Sequence, residues 1–75
     1  DEKEAIYKEC EKGGVTVVKT ELHDYGYGAK IGVVIVKNGD ENTFSDISRK
    51  VREKTGAEIK FIIENNGENA EEQNN

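Results

Sequence analysis

The residues best suited to chemistry fall in one short stretch, His23-Asp24-Tyr25-Gly26-Tyr27-Gly28-Ala29-Lys30. Two aromatic rings, glycine-freed backbone and a cation at a chain reversal are the parts of a small-ligand site. The rings can stack on a base, and free amides with an ammonium can hold a phosphate. Tyr25, Gly26, Tyr27, Gly28 and Lys30 are therefore the candidate ligand-binding residues, with a nucleotide or similar small molecule as the candidate ligand. The same composition also builds a purely structural reversal, in which glycine makes the turn and tyrosine covers the end of a sheet.

His23 and Asp24 are the types of a general base and its orienting acid, but no serine or cysteine stands where it would complete a nucleophilic set. Cys10 falls on the apolar stripe of a helix, where a thiol behaves as a small hydrophobe. One cysteine and one histidine are too few for a zinc site, and the carboxylates lack the alternating spacing of a calcium loop. The glycines at 26, 28 and 32 lie in a reversal and a strand, so they do not make a dinucleotide-binding turn between strand and helix. No catalytic residue, metal or cofactor is expected, and the reading is of a non-enzymatic protein.

A second charged group, Arg49, Lys50 and Arg52 with Lys54, crowds the later turns of a helix. Cations suit the negative end of the dipole there and could gather an anion or an acidic partner. Duplex nucleic acid is not an expected partner. Of the net charge of −5, residues 1–12 carry −2 and residues 64–75 carry −4, which leaves the body between them at +1. A duplex binder wants a positive face on its folded body, and a net +1 is a poor start for one.

These residues must be held by a small scaffold. With 75 residues there is room for one hydrophobic core. A lone cysteine gives no internal disulfide, which points to a reducing, cytoplasmic setting. No apolar run approaches the roughly 18 residues of a bilayer helix, and with no charged-then-apolar stretch at its start no secretory signal is expected in the sequence as given. The chain opens Asp1-Glu2-Lys3 without a methionine, which reads as one domain of a longer protein.

Residues 1–12 are strong helix formers with Ala5, Ile6 and Cys10 on one stripe, and Gly13-Gly14 supplies a left-handed stop. Val15 to His23 is β-rich, with Val15 and Val17 pointing one way and Val18 and Leu22 the other. After the glycine-bearing reversal, Ala29 to Lys37 forms a second strand that is apolar on both faces, as a central strand is. Asn38 to Asn42 is a polar turn, and Thr43, as N-cap with Asp46 three residues on, opens a second helix that displays Phe44, Ile47 and Val51 and ends at Gly56. Ala57 to Glu64 alternates as a third strand. Residues 65–75, almost wholly Asn, Glu, Gln and Gly, are expected to be a disordered acidic tail.

The order helix-strand-strand-helix-strand implies an α+β domain over residues 1–64, with a three-stranded mixed sheet and both helices on one face. Val15, Val17, Ile31, Val33, Ile35, Ile59, Phe61 and Ile63 are expected to face the helices. Val18, Leu22, Val34, Val36 and Ile62, bordered by Thr16, Thr20 and Lys60, are expected to share a bare face. Such a face suits an interface with another copy or with another domain of the same chain.

The layout from Gly14-Val15-Thr16-Val17 through the glycine-bearing reversal, Ile31 to Val36, a helix and Ala57 to Glu64 resembles the small C-terminal domain of YitT-type bacterial multi-pass membrane proteins. Two features differ: Thr55-Gly56 stands where that family tends to have Asp-Pro, and Asn65 to Asn75 replaces its glycine-rich, phenylalanine-ending tail. The resemblance implies a cytosolic domain of ferredoxin-like character on a membrane-anchored parent, of unknown biochemical role, with ligand sensing as one option. The same element order is found in ring-building domains of sporulation and secretion complexes, which implies a role in assembly. The sequence thus supports a self-associating regulatory or assembly domain, with a small-ligand sensor as the alternative.

Overall fold

A computed structural model describes residues 1–64; the tail expected over 65–75 lies outside the described residues. The elements are α1 (Glu2–Lys12), β1 (Val17–Asp24), β2 (Lys30–Val36), α2 (Glu41–Thr55) and β3 (Glu58–Ile63). The strands form one sheet in the order β1-β2-β3, with β2 antiparallel to β1 and parallel to β3. This is the expected α+β arrangement, with both helices on one face of a mixed sheet.

Each helix begins where a carboxylate satisfies amides that have no partner in the first turn. Asp1 accepts from the Glu4 amide at 3.0 Å. Asp40 accepts from the Thr43 amide at 2.8 Å. The second contact corrects the expected cap. Thr43 lies inside α2, and Asp40, two residues before Asn42, is the N-cap. The extended backbone of Asp40 lets its carboxylate fold over the first turn, and its pKa is lowered by the hydrogen bonds it receives from Thr43. At the far end Gly56 takes the left-handed conformation, φ 81°, that stops the helix. In α1 the left-handed residue is Gly14, φ 76°, one position beyond the cap.

The core joins Ile6 and Cys10 of α1, Ile47 and Val51 of α2, and Val34, Val36 and Ile59 of the sheet, with Val15 and Ala57 at the strand entries. Val17, Phe44 and Phe61 pack against it, and the two phenylalanine rings stack at 4.4 Å. The helix face of the sheet is therefore the Gly32, Val34, Val36 side of β2. A Cβ built on Gly32 would stand 3.0 Å from Ile59 Cδ1, 3.3 Å from Leu22 Cδ1 and 3.5 Å from Ile6 Cδ1, so side chains from both neighbouring strands and α1 converge over this glycine. With no side chain of its own, Gly32 leaves that space to Ile59, Leu22 and Ile6.

This arrangement corrects the expected distribution of faces. Val34 and Val36, expected on the bare face, are fully buried. Leu22 and Thr20 also turn toward the helices, whereas Ile31, Val33 and Ile35 lie on the opposite face, part-exposed. In β1 a β-bulge is the cause of the difference. Val17 pairs with Val36 and Lys19 with Ile35, so Val18 is an extra residue between them. Beyond it the alternation is shifted by one, and Val17 and Leu22 face the same side despite their odd spacing.

Candidate functional site

Two surfaces follow from this geometry: the hairpin tip and the uncovered sheet face. At the tip, Asp24 Oδ1 accepts from the Gly26 amide at 2.9 Å, Tyr25 donates its amide to Ala29 at 2.8 Å, and Ala29 donates to Gly26 at 2.9 Å. The glycines at 26 and 28 and, unusually for a side-chain-bearing residue, Tyr27 have positive φ, 84°, 78° and 54°. This turn throws both tyrosines outward, Tyr25 at 65% exposure and Tyr27 fully exposed. Lys30 does not join them. Its Nζ lies 2.7 Å from Glu2 Oε2, tying the start of β2 to the start of α1. That contact raises the lysine pKa and lowers the glutamate's, each chiefly through the shared hydrogen bond.

His23 is not oriented by Asp24, whose carboxylate is engaged in the turn. The imidazole Nε2 lies 3.7 Å from Glu21, and the ring tilts toward Tyr25 at 6.3 Å. Cys10 is buried, and burial, with the neighbouring Glu9 carboxylate, pushes its thiol up to about 11, so at neutral pH it is protonated and a poor nucleophile.

The basic cluster on α2 is partnered. Arg49 bonds to Asp46 and lies 3.8 Å from Glu53; Lys50 lies 3.2 Å from Asp46; Arg52 lies 3.8 Å from Glu58. Lys50 and then Arg49 hold the Asp46 carboxyl below its usual range. Arg49 and Arg52 line an open depression with Asn42, Ser45, Asp46 and Ser48, in which one carboxylate already offsets the charge an anion would seek.

Glu9 was not singled out in the sequence. It is buried, with Oε2 2.7 Å from Lys54 Nζ and 3.8 Å from Lys12 Nζ, and its pKa is lowered chiefly by the Lys54 hydrogen bond. The pair joins α1 to α2 across 45 residues of sequence, a link that carries no local pattern.

The uncovered face is read most directly by register. Pairing places Lys19, Ile35 and Ile62 in one row, Glu21, Val33 and Lys60 in the next, and His23, Ile31 and Glu58 in the third. The centre column is wholly apolar and the flanking strands carry charge. Lys19 reaches Glu21 at 3.1 Å along β1, and this hydrogen bond lowers the Glu21 pKa. Ile62 is 51% exposed, as expected, and Val18 stands out 42% exposed at the bulge. The alternating polar residues Lys19, Glu21 and His23 were the available signal. They fix the outward side of β1, and antiparallel pairing then fixes the outward side of β2.

Fold and surface together define a small α+β domain with a half-covered sheet. The chain matches no protein-family model, no curated protein and no solved structure.

Proposed function

We propose that this is a non-enzymatic assembly or regulatory domain that self-associates through the open face of its sheet. The observation that carries this reading is the column Ile31, Val33, Ile35, flanked by Ile62, on a face that no helix covers among the described residues. Apolar side chains left on one side of a sheet are stabilised by removal from water, at roughly 25 cal/mol per Å2 buried. A contiguous patch of this kind is a common mark of an interaction surface.

The test is sedimentation velocity over a wide concentration range, comparing the wild-type chain with Val33→Lys. Concentration-dependent association that this substitution abolishes, with an unchanged circular dichroism spectrum, is the expected result. A wild-type monomer at millimolar concentration would remove the proposal. A small-ligand role for the tip keeps one supporting observation, the outward hold on Tyr25 and Tyr27 by a strained turn. Amide shift changes at residues 25–28 with a panel of nucleotides would support it, and unchanged spectra would end it.

A further inference from the structure

The three rows of the open face carry an order that goes beyond the existence of an interface. This inference rests on the reading that two copies meet through that face. We infer that the partner is a second copy related by a two-fold axis running parallel to the strands, so that β1 of each protomer lies over β3 of the other. Glu21 then meets the partner's Lys60 at two symmetry-related places.

Closed homodimers are two-fold, and in the aligned class of sheet packing, where the strands of the two sheets cross at about 30°, that axis runs close to the strands or close to perpendicular to them. An axis across the strands stacks β1 on β1 and β3 on β3 with their directions reversed. In that case the middle row sets Glu21 against Glu21 and Lys60 against Lys60, two like-charge contacts, while Ile62 meets Glu58 and Lys19 meets His23 without an opposite charge. An axis along the strands exchanges the flanks and preserves the rows. Glu21 then faces Lys60, His23 faces Glu58, Lys19 faces Ile62, and the apolar column Ile35, Val33, Ile31 stacks on itself.

Sheet twist rotates packed sheets by about 30°, which displaces the outer rows more than the middle one, so the Glu21 and Lys60 pair is the best preserved. Lys60 makes no ion pair among the described residues, whereas Glu58 is shared with Arg52 at 3.8 Å and Glu21 with Lys19 at 3.1 Å. The charged flanks hold two lysines and two glutamates, so this face is close to neutral although the chain carries −5. Two copies can therefore meet here without the general repulsion of an acidic protein. The nine residues of the three rows are fewer than the ~20–30 per side of stable complexes, so the association is weak and is measured at high concentration.

The test is a charge-reversal cycle read by sedimentation equilibrium: Glu21→Lys, Lys60→Glu and the double variant, with Val33→Lys alongside and far-ultraviolet circular dichroism on each. Each single reversal acts twice in the dimer and is expected to weaken it about tenfold or more, and the double reversal to restore it to within about threefold. If Val33→Lys dissociates the dimer but the single reversals leave it unchanged, or the double variant fails to recover, the axis is wrong and the interface stands. If Val33→Lys changes nothing, or the wild type never associates, the proposed face and the axis fall together. Both charged positions are exposed or part-exposed and remote from the core, so folding of the variants is expected to survive.

Discussion

Thr20 offers the sharpest test of which way the sheet faces. The residue is 8% exposed, lies on the helix side of β1 opposite Val34, and its hydroxyl has no hydrogen-bond partner among the described residues. A buried hydroxyl without a partner costs roughly 1–3 kcal/mol in desolvation. Valine has nearly the same shape, is also β-branched and suits a strand equally well. Thr20→Val removes the unsatisfied oxygen and places a methyl group in the same space, so a net gain of about 1.5 kcal/mol is expected. For a domain of this size each kcal/mol moves Tm by roughly 4–8 °C, so the midpoint should rise by about 6–12 °C.

The companion variant Thr20→Ser keeps the hydroxyl and deletes the methyl, and should lose about 1 kcal/mol. Urea unfolding followed by circular dichroism measures both, with the slope against urea checking that the unfolded state is unaltered. If valine is neutral or destabilising while serine is tolerated, the hydroxyl has a partner or faces water, and the assignment of β1 faces is wrong.

The cap correction predicts an asymmetry: Asp40→Ala should cost about 1 kcal/mol in the same assay while Thr43→Ala costs markedly less, and equal losses would return the cap to Thr43. Acid should weaken the fold in a defined sense. Glu9, Glu2, Asp40 and Asp46 have lowered folded pKa values, so their contributions are complete above the unfolded carboxyl range and are lost as pH falls through the lower folded values. Stability should therefore be nearly level near neutrality and decline below about pH 4.5, with Glu9→Gln giving a shallower decline; a profile unaffected by that substitution would remove Glu9 from the account.

Much of the fold was legible because its signals are local. The glycine stops, the stripe Ile6 and Cys10, the spacing of Ile47 and Val51, and the alternation of Ile59 and Phe61 each arise from steric and periodic rules acting over a few residues, and they fix the element order and the helix faces. β2 gave no such direction. A strand reading Ile-Gly-Val-Val-Ile-Val is apolar on both sides, so its own sequence allows either face inward.

Tertiary packing made that choice. Gly32 had to lie beneath Ile6, Leu22 and Ile59, which drew Val34 and Val36 inward and left Ile31, Val33 and Ile35 outside. The bulge at Val18 is likewise a matter of register between two strands, and the Glu9 to Lys54 contact joins residues whose proximity exists only after both helices settle on the same face. The open surface is legible only in part from the chain. Its charged flanks show in the alternation of β1 and β3, but the rows they form depend on pairing, which is decided by contacts distant in sequence.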